Sequence, residues 1–523
     1  MKSWKQNSKN WERTLSAARL STGLVLAFLF MAGGAAPAAA GFRVTPYVQN
    51  PHETGVTLMW FSDTEQAGEV RLYRAGEQAP VAYRSAPLFA PEMAYQESEQ
   101  PKNGTALPYR HELRLHGLVP GGQYRYTVEQ GGETVSGEFR TRPEEPGSFR
   151  FIVFADSETE PESVGSPARW PGTGPATAER RYLVDQERGY RENLRVIAER
   201  SPDFVAIAGD LVESGGEQRD WDEFWRLTAP LASGTPIYPA LGNHEYWAGP
   251  NASRRFQEWE AERAVAKYRS YFDLPSNGMG PHHERYYSID WGPLTLVVLD
   301  LNNGVPHRSA ADTNWYQRAE GEGGFAPSWA PGSLQYRWLE KTLQRAQRES
   351  AFTFVMFHYS PYSSGPHALP AGDGEDEDPL SGVPLRALSP LFQRHGVDVV
   401  LNGHDEMAEH SILPGEHEIH FYDVGIGGDG LRGPAAGAEN PYRVFLAHDD
   451  APEVYDENGI LVDGGKHYGH LEVNVSPDAA GGWRARFDMV HVFPVMDADG
   501  RVVRFERRLY DDSLTLVSRD KIE

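Results

Sequence analysis

The sequence predicts a small all-β sandwich followed by a larger α/β domain, and three observations lead to this fold class. The chain has 523 residues, of which 40% are hydrophobic, so it is too long for one ordinary domain and too apolar to be disordered. Short alternating segments separated by turn residues occupy the region after residue 40, as in a sandwich. From about residue 148 onward, buried strands alternate with helices, and this order is typical of an α/β domain.

Residues 1–40 are expected to be a signal peptide and not part of the fold. Five basic side chains, the last of them Arg19, precede the apolar run Gly23–Ala32, and the segment ends in three alanines at Ala40. The apolar run is shorter than the roughly twenty residues of a membrane span. We therefore expect cleavage near Ala40, no membrane association afterwards, and a mature protein that is periplasmic or secreted.

Residues 41–142 are predicted to form the all-β sandwich. Val56–Phe61 is one of its short strands, and a tight turn precedes a second strand, Tyr124–Val128, whose aromatic residues alternate with polar ones. This second strand resembles the tyrosine-corner region of a fibronectin type III domain, with Trp60 as the core tryptophan. The proline-rich segment Arg142–Gly147 is the predicted linker.

Residues 148–523 are predicted to form the α/β domain. Two amphipathic helices are expected, at Tyr182–Arg200 and Leu334–Arg345. The expected apolar strands are Phe149–Ala155, Phe204–Ala208, Ile237–Leu241, Leu294–Leu299, Phe352–Phe357 and Val397–Leu401.

All but one of these strands run directly into residues that can bind metal ions. The carboxyl ends of strands in open α/β sheets form the ligand crevice, so groups far apart in sequence are expected to meet there. Their imidazoles, carboxylates and amide indicate a site for two divalent cations bridged by a carboxylate. The candidates are Asp156 and Glu158, Asp210, Asn243-His244-Glu245, His358, and His404-Asp405-Glu406.

The order of these motifs resembles the calcineurin-like metallophosphoesterase superfamily. The preceding sandwich makes the chain similar to purple acid phosphatases and their bacterial relatives. The resemblance implies a four-layered α/β/β/α metallophosphoesterase sandwich preceded by a fibronectin type III-like sandwich. It also implies a metal-dependent hydrolase acting on phosphoric esters, either a phosphatase or a phosphodiesterase.

The resemblance further implies roles for individual residues. Asp210 would bridge the two metals, and His244 would be a hydrogen-bond donor or general acid toward the substrate phosphate, so these two are the catalytic candidates. His244 would also bind substrate, together with Asn243 and, as a weaker candidate, His367. The implied metal ligands are Asp156 in the first site, and Asn243, His358 and His404 in the second.

The chain departs from the family pattern at the first metal. Glu158 and Glu406 occupy positions where the superfamily commonly has histidine, and Glu213 replaces the tyrosine of purple acid phosphatases. We include Glu158 and Glu406 among the predicted ligands and leave Glu213 open. An oxygen-only site favours Mg²⁺, Mn²⁺ or Ca²⁺, whereas the histidine-rich site also suits Zn²⁺ or iron. The identity of the metal pair therefore stays open.

Composition excludes other classes of function. The formal net charge of -24 makes nucleic-acid binding improbable, and the absence of cysteine removes thiolate metal sites and disulfides. The sequence therefore predicts a secreted enzyme that hydrolyses a small-molecule phosphate ester by in-line attack of a metal-bound hydroxide. The alternative is a non-catalytic, metal-stabilised binding or adhesion protein with a degenerate first site. Monoester or diester preference and oligomeric state stay open.

Overall fold

A computed structural model describes residues 41–99, 102, 107–159, 182–249, 258–302, 326–372, 374 and 376–518. The predicted signal peptide lies outside these ranges. Within them, no helix combines the length and the apolar character that crossing a membrane requires.

The N-terminal part consists of two four-stranded sheets, with strand orders β1-β2-β6-β5 and β4-β3-β7-β8. Trp60 is fully buried between them and stacks on His111, with ring centroids 4.7 Å apart. Tyr124, Tyr126 and Val128 alternate with solvent-facing residues, as predicted. The strands are β1 (Phe42–His52), β2 (Gly55–Ser62), β3 (Glu69–Arg74), β4 (Val81–Arg84), β5 (Leu88–Phe89), β6 (Tyr109–His116), β7 (Gln123–Gln130) and β8 (Glu133–Arg140).

This sandwich shares an apolar core with the rest of the chain. Tyr47 on β1 packs against Trp225, with ring centroids 4.2 Å apart, and donates a hydrogen bond to the carbonyl of Tyr271. Met59 and Phe61 belong to the same buried cluster. The N-terminal strands are therefore packed firmly against the domain that follows them.

The described residues of the second part form the remaining strands and six α-helices. The helices are α1 (Gln186–Arg200), α2 (Gln218–Ala232), α3 (Glu258–Tyr271), α4 (Leu334–Glu349), α5 (Ser389–Arg394) and α6 (Ala447–Asp450). The strands are β9 (Phe149–Phe154), β10 (Phe204–Ile207), β11 (Ile237–Pro239), β12 (Tyr287–Trp291), β13 (Leu294–Val298), β14 (Phe352–Met356), β15 (Val399–Asn402), β16 (Ala408–Leu413), β17 (Ile419–Val424), β18 (Arg443–Leu446), β19 (Val454–Tyr455), β20 (Leu461–Asp463), β21 (Gly469–Pro477), β22 (Trp483–Met496) and β23 (Val502–Val517).

Two large mixed sheets form the centre of this part. Their strand orders are β11-β10-β9-β21-β22-β23 and β12-β13-β14-β15-β17-β16-β18. Phe354 on β14 lies between the sheets and contacts both Phe151 and Phe487 of the other sheet, at 6.3 and 5.5 Å between ring centroids. The neighbouring Val355 points the other way, into a separate cluster with residues of α4 and α5. Helices α1 and α2 cover the first sheet, so the predicted four-layered α/β/β/α fold is confirmed.

Local sequence explains where the two predicted helices begin. The Asp185 side chain accepts a hydrogen bond from the backbone N–H of Arg188, so it caps α1, which starts at Gln186 and not at Tyr182. Ser333 caps α4 in the same way. Both predicted helices are present, but α1 begins four residues later than predicted and α4 ends four residues later, at Glu349.

Candidate metal centre

The candidate site lies where the carboxyl ends of both sheets meet. Strands β9, β10 and β11 are parallel neighbours in the first sheet, and β14, β15 and β17 are parallel neighbours in the second. The loops after these six strands bring together the predicted residues Asp156, Glu158, Asp210, Asn243, His244, His358, His404 and Glu406, together with Asp429. The strand-end reasoning therefore places these side chains correctly.

Four of these residues have an unusual backbone. Asp156, Asp210, His404 and Glu406 all have φ between 50° and 76°, a left-handed conformation that non-glycine residues adopt at an energetic cost. Such strain persists where the surrounding structure demands it, and it is common at functional sites.

Hydrogen bonds fix the tautomer of His358. Its Nδ1 lies 3.0 Å from the carbonyl oxygen of Ala208, and since a carbonyl only accepts, Nδ1 carries a proton. The lone pair of the neutral ring is then on Nε2, which lies 2.8 Å from Asp210 Oδ2 and 3.0 Å from Asn243 Oδ1. Burial disfavours a charged ring, yet the Asp210 carboxylate raises the pKa of His358 above its usual value. The Asp210 carboxylate therefore favours a positive charge next to His358 Nε2.

His404 supplies a fourth acceptor atom beside those of Asp210, Asn243 and His358. Its Nε2 is 2.9 Å from the carbonyl of Leu380, so the lone pair is on Nδ1, which lies 3.1 Å from His358 Nε2. Burial lowers the pKa of His404 well below its usual value, as does the nearby His367 ring, so the ring is neutral.

These four acceptor atoms fit a cation. They belong to Asp210, Asn243, His358 and His404, and His358 Nε2 lies 2.8 to 3.1 Å from each of the other three. Adjacent ligands at metal–ligand distances of 2.0–2.2 Å lie about 3 Å apart when they subtend a right angle. The residues predicted for the second metal site therefore fit a divalent ion.

Asp156, the residue predicted for the first metal, lies beside Glu158 but belongs to none of the potential ligand groups in the described residues. Both of its carboxylate oxygens accept from the backbone N–H of His404, at 3.1 and 2.9 Å. A Cβ on Gly403 or Gly425 would lie 2.4 Å from Asp156 Oδ2, so glycine is required for the backbone to approach so closely. The carboxylate is thus held rigidly between two loops.

Glu158 gives the clearest indication that the first site binds a cation. It is 1% exposed, and neither carboxylate oxygen has a hydrogen-bond partner in the described part of the chain. Burial raises the pKa of Glu158 well above its usual value, and the neighbouring Asp156 and Asp210 carboxylates raise it further. A buried carboxylate without donors is costly, and a divalent ion would remove that cost.

Glu406 is engaged differently from Glu158. Arg432 donates to both of its oxygens, at 2.7 and 2.6 Å, and each side chain is 7% exposed. Glu406 nevertheless has an oxygen within 4.8 Å of ligand atoms of Glu158 and Asp429. The structure thus places Glu406 next to Glu158 and Asp429, where it is the partner of a buried arginine that the sequence did not reveal.

We expect Arg432→Met to destabilise the metal-free protein. The substitution leaves the Glu406 carboxylate buried without its partner, which costs about 3–5 kcal/mol of unfolding free energy. Urea unfolding of chelator-treated protein measures the change. The double variant Arg432→Met/Glu406→Gln should recover most of the loss, and an unchanged stability in the single variant would contradict the importance of the pair.

His244 lies beside the metal ligands and is partly exposed. Its Nδ1 is 2.8 Å from the carbonyl of Glu213 and therefore donates to it. Its Nε2 lies 3.6 Å from Asp210 Oδ2, and the ring packs on Trp247. Burial lowers the pKa of His244, and Asp210 opposes the shift. The Glu213 carboxylate is 3.7 Å from Nδ1 and belongs to none of the potential ligand groups in the described residues.

His367 also lies close to the site. Its ring stacks on that of His404 with centroids 3.8 Å apart, and its Nδ1 is 2.7 Å from Asp378 Oδ2. Arg432 Nη1 is 3.5 Å from the other ring nitrogen. Sequence reasoning did not find Asp378, because it ends an acidic run that has the composition of an ordinary solvated loop.

Glu245 has a supporting role. Its carboxylate accepts from the backbone N–H groups of Asp210, Leu211 and Gly242, at 3.0, 2.7 and 2.7 Å. These bonds connect the loop after β10 to the loop after β11. Glu245 therefore positions Asp210 and Asn243 relative to each other.

The second part of the chain is similar to known proteins. The family described as calcineurin-like phosphoesterase matches residues 149–405. An uncharacterised protein of Mycobacterium tuberculosis is 28% identical over 319 residues, which are 59% of this chain and 52% of that protein. A probable inactive purple acid phosphatase of Arabidopsis thaliana is 22% identical over 307 residues, 56% of this chain and 42% of that protein. The chain thus spans about half the length of the curated relatives it matches.

A solved structure shares the fold. The purple acid phosphatase PPD1 from yellow lupin (Lupinus luteus) superimposes with a TM-score of 0.61 at 18% identity, covering 92% of this chain and 75% of that one. The chain therefore carries a calcineurin-like phosphoesterase domain, and purple acid phosphatases are among its homologues.

Proposed function

We propose that this protein hydrolyses small-molecule phosphate esters with two divalent cations held at the candidate metal centre. The observation that carries the proposal is the buried cluster in which His358 Nε2 lies 2.8 to 3.1 Å from acceptor atoms of Asp210, Asn243 and His404, next to the buried carboxylate of Glu158. No protein donor satisfies Glu158 in the described residues. The family match supports the hydrolase class.

Two cations bound here would supply Lewis acidity to the phosphoryl oxygens and lower the pKa of a water molecule. The chain's own residues hold and orient this centre. Asp210 lies between two groups of potential metal ligands. One group contains Asp210 with His358 and His404, and the other contains Asp210 with Glu158 and His244. Asp210 Oδ1 accepts a hydrogen bond from the His244 backbone N–H at 3.0 Å. This bond fixes the plane of the Asp210 carboxylate.

His244 is the proposed proton or hydrogen-bond donor to the ester. Because its Nδ1–H is bound to the Glu213 carbonyl, its Nε2 is the atom available to the substrate. The ring is supported by Trp247, with centroids 3.7 Å apart, so it is presented in one orientation. In the protonated state Nε2–H can donate to the leaving oxygen.

We expect His244→Ala to lower kcat by about 10²–10⁴, the usual contribution of general acid–base catalysis. Metal content should not change. The loss should be smaller for a nitrophenyl ester than for an alkyl phosphate, because a good leaving group needs less protonation. Equal losses on both esters would leave only a positioning role, and loss of metal would make His244 a ligand.

The proposed location is the periplasm or the extracellular medium. Support comes only from residues 1–40, whose basic start, apolar run and alanine end have the pattern of a cleavable signal. N-terminal sequencing of protein from the exporting cell should find a mature chain that begins near Gly41.

The proposed activity is tested with purified protein stripped by a chelator. We expect hydrolysis of p-nitrophenyl phosphate or of its bis-nitrophenyl diester to return when Mn²⁺, Zn²⁺ or Ca²⁺ is added, and the ratio of the two rates gives the ester preference. If neither ester is hydrolysed with any of these metals, the proposed function is wrong.

A further inference from the structure

The loop after β17 brings another carboxylate to the first metal site. This loop, Gly425–Gly430, packs directly on the predicted ligands, since a Cβ on Gly425 would lie 2.7 Å from the Glu406 Cα. The backbone N–H groups of Gly428 and Asp429 donate to the carbonyl of Asp156, at 2.9 and 2.8 Å. The loop is thus attached to the first site by its main chain.

The side chain at the centre of this attachment is Asp429, which is 6% exposed. One oxygen from each of Asp429, Glu158 and Glu406 lies within 4.8 Å of the others. The family match ends at residue 405, so Asp429 lies outside it.

We propose that Asp429 is a ligand of the first cation, which it binds together with Glu158 in an oxygen-only site for a hard divalent ion such as Ca²⁺, Mn²⁺ or Mg²⁺. This inference rests on the proposed function for the presence of a metal pair. The independent observation behind it is Glu158, whose two buried oxygens lack a hydrogen-bond partner in the described part of the chain.

A layer of donors orients Asp429 as expected for a metal ligand. The Tyr182 hydroxyl and the Gln186 side-chain amide both donate to Oδ1, at 2.6 and 2.7 Å. Ligating carboxylates usually have such outer partners, which fix their orientation. Helix α1 therefore positions the ligand through its first turn and the residues just before it.

The charges near this site favour a hard cation. Glu158 and Asp429 contribute two carboxylates and the charge of Asp156 acts on Glu158, whereas the charge of Glu406 is balanced by Arg432. The second site instead contributes two imidazoles and one amide besides Asp210. Oxygen ligands suit Ca²⁺, Mg²⁺ and Mn²⁺, and imidazoles suit zinc and iron, so the two sites should differ in selectivity.

The test is metal binding by the full-length mature chain, measured by calorimetric titration of chelator-treated protein with Mn²⁺ and Ca²⁺. We expect Asp429→Asn to weaken the oxygen-site cation by more than about 100-fold and to leave the second site intact. Tyr182→Phe removes one orienting donor and should weaken the same cation about 10–100-fold, the usual effect of an outer partner. Circular dichroism confirms that each variant is folded.

Asp423→Asn is the matched control. Asp423 is also buried, lies on β17 just before the loop, and accepts from Ser360 and from the Gly425 backbone. It belongs to no potential ligand group in the described residues. Like Asp429→Asn, the Asp423→Asn substitution removes one negative charge, here close to Asp156. It should weaken binding of the oxygen-site cation less than 10-fold.

Binding by Asp429→Asn within about threefold of wild type would overturn the inference, as would equal losses in Asp429→Asn and Asp423→Asn. The outcome is separable from that of the proposed function, because no ester is present. A wild-type protein that binds both cations but hydrolyses no ester would leave Asp429 as a ligand and refute only the activity. A wild-type protein that hydrolyses the esters, together with an Asp429→Asn variant that binds both cations normally, would support the proposed activity and refute Asp429 as a ligand.

Discussion

Asp210→Asn is expected to lower kcat/KM by about 10³-fold or more. The carboxylate belongs to both ligand groups and contacts His358 at 2.8 Å, so its neutralisation weakens both cations together. The Lewis acidity of metal ions contributes several kcal/mol to such reactions, and each 1.36 kcal/mol corresponds to a factor of ten in rate. Steady-state hydrolysis of a nitrophenyl ester, with metal content measured on the same sample, checks the expectation.

The matched control is Asp203→Asn at the other end of β10. Asp203 accepts a hydrogen bond from the Arg150 backbone at 2.9 Å, away from the carboxyl edge of the sheet. This variant should remain active and keep both metals. Near-wild-type activity in Asp210→Asn would show that the active site lies elsewhere.

His404→Ala is expected to remove the second cation and to reduce activity by about 10²–10³-fold or more. His404 supplies one of the four lone pairs at that site, 3.1 Å from His358 Nε2. The loss should be selective, because the oxygens of Glu158 and Asp429 stay in place. Elemental analysis is therefore expected to find one metal per chain where the wild type has two.

His420→Ala tests whether the loss of any buried histidine has this effect. His420 is 4% exposed and lies near the amino end of β17, where it contacts His410 at 3.0 Å. Both metals should remain bound in this variant. If His404→Ala also kept two metals, His404 would not be a ligand.

The sequence alone predicted six strands and two helices of the α/β domain, because the alternation of a strand and the amphipathic period of a helix are local patterns. It did not identify α2, α3 or the strands from β16 to β23. It also located most of the candidate site, since each residue follows directly on a strand. Glu158 is an example, four residues beyond the end of β9. The pairing of two sheets into a sandwich followed from the family resemblance and not from periodicity.

Asp429, Arg432 and Asp378 were missed for different physical reasons. Asp429 follows β17, but His420 and Asp423 interrupt the apolar run of that strand, so the strand was not recognised. Arg432 and Glu406 are 26 positions apart, and their ion pair is visible only in three dimensions. Asp378 lies in a loop with the composition of solvated surface, and only the fold brings it to His367.

The central claim is that this site binds two cations and that hydrolysis depends on both. The most direct measurement titrates Mn²⁺ into metal-free protein while bound metal and nitrophenyl ester hydrolysis are followed in the same samples. We predict that two equivalents bind and that hydrolysis appears mainly with the second. Hydrolysis by the metal-free protein would contradict the claim, and so would two bound equivalents without hydrolysis, which would instead indicate a metal-stabilised binding protein.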